Sequence, residues 1–130
     1  MIFDQDIIEA ARENSLFRKV IKTGAHAQVV LMSIPPLGEI GNEVHADVDQ
    51  ILLFVEGVGQ ATVGEDTKTI GQNHLVFVPA GTWHNFTNTG SKDLRLVSVY
   101  APPEHPDGTV HRTKEEADKA ESEHQSTANA

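Results

Sequence analysis

Apolar residues along this chain recur mostly at a spacing of two, in short runs broken by glycine and proline, and such a pattern predicts strands. One stretch near the start differs. Over residues 3–14, Ile7, Ile8 and Ala11 recur at helical spacing with charges between them, which predicts a short helix with Asp4 placed to cap it. From Leu16 to Ile21 the pattern becomes extended and Thr23-Gly24 breaks it. His26 to Ile34 then predicts a second strand, ended by Pro35-Pro36 because proline cannot donate to a ladder. Ile51 to Val55 is apolar on both faces, as expected of a strand between two layers or between the core and an interface. Gly57 and Gly59 are expected to bracket a turn, Gln60 to Val63 alternates, and Gly64-Glu65-Asp66 reads as a hairpin turn before Lys68 to Ile70. His74 to Val78, Trp83 to Asn88 and Leu94 to Tyr100 predict further strands, separated by turns at Pro79-Ala80-Gly81 and Asn88 to Ser91. Many short strands with closely spaced turns and no interior helix predict an all-β sandwich or barrel.

After Tyr100 the pattern stops. Ala101 to Gly108 (APPEHPDG) is too proline-rich for helix or strand, and Thr113 to about Glu123 predicts a polar helix with Thr113 as its cap. The final SEHQSTANA has little to bury and is expected to be disordered. The expected organisation is therefore a helix and first strand over 1–24 packing on a barrel over 25–101, then a proline-rich segment, short helix and tail over 102–130.

Composition narrows the function classes. At 130 residues with 38% hydrophobic content the chain can bury one core. No run approaches the ~20 apolar residues of a membrane span, and the N-terminus carries acids where a secretory signal would be basic, so a cytoplasmic protein is expected. Cysteine is absent, which excludes disulfides, thiolate metal sites and cysteine nucleophiles. A net charge of -9 argues against nucleic acid or an anionic membrane as partner, since neither row of phosphates could be neutralised. Seven histidines remain as the compositional hint of chemistry.

Two histidines fall where strand parity gives them company. Residues two apart on a strand share a face, so Glu43 and His45 project together, while Gln50 opens an apolar strand and shares its face with Leu52 and Phe54. His84 shares a face with Phe86 and Asn88, and Trp83 points the other way. If the strands close on one another, Glu43, His45 and His84 can converge, with Gln50 adding a neutral oxygen. Mixed nitrogen and oxygen donors suit Fe(II), Mn(II), Co(II), Ni(II) or Zn(II), and three or four protein ligands leave room for a substrate. Asp49 is an alternative ligand if a bulge turns it inward, and Asp47 a more distant one. The bland reading of each histidine is a structural residue on a strand.

These segments resemble the two sequence motifs of the cupin superfamily. The first cupin motif has a glycine, two histidines separated by one residue, then a glutamate and a later glycine. Here Glu43 stands at the first histidine, His45 at the second, Gln50 at the glutamate and Gly57 at the closing glycine. Pro79, Gly81, His84 and Asn88 match the second motif without a gap. The strand pattern from His26 to Tyr100 fits a cupin throughout, and the chain most resembles small single-domain bacterial cupins likened to mannose-6-phosphate isomerase. The resemblance implies a jelly-roll (double-stranded β-helix, RmlC-like) barrel, a divalent metal inside it, a small-molecule ligand or substrate, and a homodimer. Cupin metals are usually held by three histidines and a glutamate. This chain instead offers two histidines, one carboxylate and Gln50, a set like that of non-haem Fe(II) oxygenases.

Outside the motifs, Phe54, Phe86 and Asn88 are expected to line the pocket by their parity with the ligands. His105 and His111 either fold back over the barrel mouth as a substrate contact or proton carrier, or pin the tail to the surface or pack at a dimer interface. His26, His74 and His124 are expected to be bland. No dedicated nucleophile or acid–base pair stands out, so catalytic residues are not assigned. Two functions follow: a metal-dependent oxygenase- or isomerase-type enzyme on a small organic molecule, or a non-catalytic module that binds or senses a small ligand with a weak or absent metal site.

Overall fold

Strand-forming segments between glycine and proline breaks fold into two facing antiparallel sheets. The computed structural model describes residues 2–128, with side chains in the last helix described as far as Ser122. In order the elements are α1 (Ile7–Glu13), β1 (Arg18–Thr23), β2 (Gln28–Ile34), β3 (Asp49–Glu56), β4 (Val58–Val63), β5 (Asp66–Gly71), β6 (Leu75–Val78), β7 (His84–Asn88), β8 (Leu94–Ala101), β9 (Val110–His111) and α2 (Lys114–Ala128). One sheet has six strands in the order β6-β3-β8-β2-β1-β9, and the other three in the order β5-β4-β7. Isolated bridges Glu39↔Thr87 and Glu43↔His84 lay residues 39–43 along the free edge of β7. The result is the jelly-roll barrel that the strand pattern and motifs imply.

The inner faces carry the core. Val30, Met32 and Ile34 of β2, Leu52 and Phe54 of β3, Phe86 of β7 and Leu94 and Leu96 of β8 pack together in one buried cluster. On the outer face, Ala11 of α1 packs with Leu31, Val55 and Val97, and Ile7, Ile8 and Leu53 join them. That helix accounts for much of the two-sided apolarity of β3. Among the described residues no helix is long and apolar enough to cross a membrane.

Several boundaries differ from expectation, each for a local reason. The first helix starts at Ile7, not residue 3, because Asp6 rather than Asp4 caps it, accepting from Glu9 N at 3.1 Å. His26 lies exposed in the turn between β1 and β2, outside both strands. Gly57 makes the β3–β4 turn alone at φ +92°, and Gly59 lies within β4, where a Cβ would come 2.5 Å from the Thr87 carbonyl. A short strand, β9, forms within the tail: Val110 and His111 pair with Lys19 and Arg18 of β1. The polar helix is capped as expected, with Glu116 N donating to Thr113 Oγ1 at 3.1 Å, but it runs on to Ala128. The disorder expected at the chain end falls, at Asn129 and Ala130, outside the described residues.

Candidate metal centre

A backbone pair brings the two motifs together. Glu43 and His84 exchange both main-chain hydrogen bonds, each N–H donating to the other's carbonyl at 2.9 Å. In such an antiparallel pair the two side chains project side by side on one face. His45, two residues on, joins them, and its carbonyl accepts from Gly81 N at 2.8 Å, tying the first motif to the turn of the second. One donor atom from each of Glu43, His45 and His84 lies within 4.8 Å of the others. Ligands ~2.1 Å from one ion lie at most about 4.2 Å apart, so the spread of the cluster is close to that of a loaded site.

Each imidazole is held by its outer nitrogen. His84 Nδ1 lies 2.9 Å from the Thr82 carbonyl, so it carries the proton and leaves Nε2 as a bare lone pair. Burial lowers the His84 pKa, the Thr82 carbonyl opposes that, and His45 adds to it, so the ring is neutral near pH 7. His45 is flanked by two carboxylates: Nδ1 lies 3.1 Å from Glu104 Oε1 and Nε2 3.2 Å from Glu43 Oε2. Burial acts to lower its pKa, yet the hydrogen bonds and charges of Glu104 and Glu43 overcome this and raise it to about 9. A cation at Nε2 would take the place of that proton, while Glu104 kept Nδ1–H oriented.

Two buried acceptors are left unsatisfied, and a third buried nitrogen meets only a carboxylate. His84 Nε2 and Gln50 Oε1 are out of solvent with no hydrogen-bond partner, and His45 Nε2, equally buried, faces only the Glu43 carboxylate at 3.2 Å. Gln50 donates through Nε2 to Ser98 Oγ at 2.9 Å, which fixes the amide and leaves its oxygen free. Buried polar atoms are ordinarily paired, and a cation among them would satisfy both acceptors and take the place of the His45 proton. The set fits a divalent transition metal.

Comparison with known proteins bears on the same residues. The family model described as a cupin domain matches residues 30–100. The chain belongs to the cupin superfamily. This cupin is 43% identical over 125 residues to an uncharacterised protein, YrkC, of Bacillus subtilis, covering 92% of this chain and 67% of that one. A crystal structure of a Bacillus halodurans protein superposes with TM-score 0.89 at 41% identity, covering 90% of this chain and 93% of that one. An RmlC-like cupin from Shewanella frigidimarina superposes with TM-score 0.59 at 20% identity over 68% of this chain and 77% of that one, a likeness of fold alone.

Among the residues expected in the site, Glu43, His45 and His84 come together, and Gln50 lies buried on the inner face of β3. Phe86 lies against His84, with ring centroids 6.2 Å apart, and Phe54 lies 5.6 Å beyond Phe86, so the two rings floor the site within the core. Asn88 does not join the cluster: its amide donates to the Ile34 and Lys92 carbonyls at 2.8 Å and its oxygen accepts from Gly90 N, fastening the turn after β7. Asp49 is not turned inward either, since no bulge precedes Gln50 and its exposed carboxylate accepts from Ala80 N at 2.9 Å. Asp47 and His74 are exposed, as is Trp83, and His124 falls among side chains outside the described residues.

Sequence reasoning missed Glu104, Tyr100 and Gln28. Glu104 comes from the proline-rich tail, where no periodicity signals a partner for His45. Tyr100 lies with its ring 6.0 Å from His45 and 5.1 Å from His105, and burial raises its pKa to about 12. Gln28, fully buried, accepts from the N–H groups of Glu104 and His105 at 3.2 and 3.0 Å and donates to the His105 carbonyl at 2.7 Å. The inward parity of Ser98 and Tyr100 with Leu94 and Leu96 was the one available signal. His105 does fold back over the barrel, beside Tyr100, and His111 reaches Arg18 from β9.

Proposed function

We propose that this cupin holds a divalent transition metal through Glu43, His45 and His84, with Gln50 Oε1 as a fourth ligand, and acts on a small organic molecule. The observation that carries the reading is the pair of buried, partnerless acceptors, His84 Nε2 and Gln50 Oε1, beside His45 and the Glu43 carboxylate. Fe, Mn, Zn, Ni or Co would each suit two imidazoles with carboxylate and amide oxygens. When bound, such an ion supplies Lewis acidity or, for a redox metal, O2 chemistry, which matches oxygenase- or isomerase-type reactions.

The chain's own residues set the conditions for that chemistry. Glu104 and the Thr82 carbonyl hold the two imidazoles in the tautomer that turns Nε2 inward. Phe54 and Phe86 close the floor against water. Tyr100 keeps its phenolic proton well above neutral pH and is a hydroxyl beside the cluster that can donate without ionising. Metal content of protein purified without an affinity tag tests the reading. Near-stoichiometric metal in the parent, lost in Glu43→Ala and His84→Ala variants that retain the parent's circular dichroism, is the expected result.

A second reading is a non-catalytic ligand-binding or sensing module. It draws on the neutral Gln50, engaged with Ser98 where cupins usually carry a glutamate. Parent protein that is purified without metal and cannot be reloaded would favour it. We also propose that the protein is a homodimer. Leu75 and Phe77, 62% and 50% exposed on edge strand β6, pair with Leu53 and Ile51 of β3 and leave an apolar strip that α1 does not cover.

A further inference from the structure

Beyond the metal cluster, the described residues contain one buried cation without a counter-ion. Arg18 opens β1 facing inward and is only 3% exposed. No carboxylate among the described residues lies within ion-pairing distance of it. Its guanidinium stacks 5.3 Å from the Phe17 ring, and Nη1 lies 3.3 Å from His111 Nδ1. Nε is buried with no hydrogen-bond partner. An unpaired buried charge is costly, and removing it from water is normally offset by a partner ion.

Arg18, its Nε out of solvent and unpartnered, is one of the residues lining a concavity of about 520 Å³ between β1, the 104–109 segment, β9 and α2. His105, whose Nε2 is also buried without a partner, lines the same cavity together with Thr109 and His111. The volume suits a small molecule. A larger concavity of about 640 Å³ lies between α1 and β1, but its lining, with Gln5, Ala10 and Asn14, offers no buried unpaired charge.

We propose that this cavity is a recognition site for the carboxylate of a small organic acid, held side-on by the Nε edge of Arg18. Nη1 is engaged with His111, so the free edge presents parallel N–H groups in the fork that matches a carboxylate bidentately. His111 accepts at Nδ1 and so aims the guanidinium. His105 is neutral near pH 7, burial first and then Arg18 lowering its pKa to about 3, and its Nε2 is available to a polar group of the ligand without competing for the anion's charge. Two carboxylates, Glu104 and Glu121, also line the cavity; Glu104 is paired with His45, and the repulsion they exert weighs about twice as heavily on a phosphate dianion as on a singly charged carboxylate.

Glu104 belongs to both places, lining this cavity while bonding His45, and Tyr100 lies between the His45 and His105 rings. An acid held at Arg18 would therefore extend toward the Glu43–His45–His84 cluster. That extension rests on the metal reading; the anion site does not.

The test uses the full chain both chelator-treated and zinc-loaded, with benzoate, benzamide and inorganic phosphate as probes in calorimetric titrations. Nitrogen-edited NMR follows the Arg18 side-chain Nε–H, assigned by its disappearance in Arg18→Lys. Benzoate should bind chelator-treated protein at least tenfold more tightly than benzamide or phosphate and shift the Nε–H resonance. Arg18→Lys, which keeps the charge and loses the fork, should weaken benzoate at least tenfold. Should the variant not fold, the acid–amide comparison and the resonance shift in the parent decide the matter. Equal binding of acid and amide, tighter binding of phosphate, or an unmoved Nε–H would overturn the proposal. So would benzoate binding that appears only with zinc and survives Arg18→Lys, an outcome that leaves the metal reading standing.

Discussion

At the scale of single residues, His45 and Glu104 set the site's behaviour. Glu104 holds His45 from outside, and outer-shell carboxylates of this kind contribute about 10–100-fold to metal affinity. Glu104→Gln should therefore weaken zinc binding by roughly that factor in competition with a chromophoric chelator, while circular dichroism stays that of the parent. Metal-free protein should also show opposing pH limbs. His45 has its folded pKa raised from 6.5 to about 9, so its stabilising contribution is full below pH 6.5 and is lost as pH rises toward 9. His105 has its folded pKa lowered from 6.5 to about 3, so stability falls as pH drops below 6.5, where the unfolded chain takes up a proton that the folded one refuses. Thermal unfolding of chelator-treated protein should give a maximum near pH 6.5. His45→Gln should flatten the alkaline limb, and His105→Asn the limb between pH 5 and 6.5.

Much of the cluster was legible from parity at this scale. Glu43, His45 and His84 each sat on an inward face, and the motif spacing said which ends met. Asn88 and Asp49 show the limit: parity gives a face, not a partner, and both polar groups are consumed by turn backbones. Glu104 was illegible because a proline-rich loop has no period, and what brings it to His45 is the buried amide of Gln28, far away in sequence.

At the scale of elements, α1 is only seven residues long and depends on its cap and on Ala11 packing against β2, β3 and β8. Asp6→Ala should lower stability by about 1 kcal/mol in urea unfolding. β4 is held close to β7 through Gly59, where a new Cβ would meet the Thr87 carbonyl at 2.5 Å and Leu94 Cδ2 at 2.8 Å. Gly59→Ala should cost roughly 1–3 kcal/mol, because backbone on one side cannot give way. Strand existence was plain in the sequence, whereas ends were not. A glycine read as half of a turn is instead the point where two strands approach most closely, a requirement invisible to local propensity. β9 escaped notice for a related reason: two residues gain strand structure only because the edge of β1 is there to receive them.

At the scale of the whole molecule, the apolar strip of β6 and β3 predicts association. Light scattering should give twice the 14.2 kDa chain mass, and Phe77→Lys should return it to one chain without loss of fold. Two-sided apolarity on β3 pointed to a covering partner, and α1 turned out to supply part of that cover from within the chain. The sequence could not apportion it, since helix and second copy bury the same kind of surface.

The bond between Glu104 and His45 also has a bearing on order of synthesis. Glu43, His45, Gln50 and His84 leave the ribosome before Glu104, His111 and α2 do. A nascent barrel thus has its inner donors in hand while the outer wall of the site is still inside the exit tunnel. Ribosome-bound chains that have emerged as far as Ala101 should acquire barrel structure but take up zinc weakly, and firm retention should begin only once the segment through His111 has emerged and zipped onto β1.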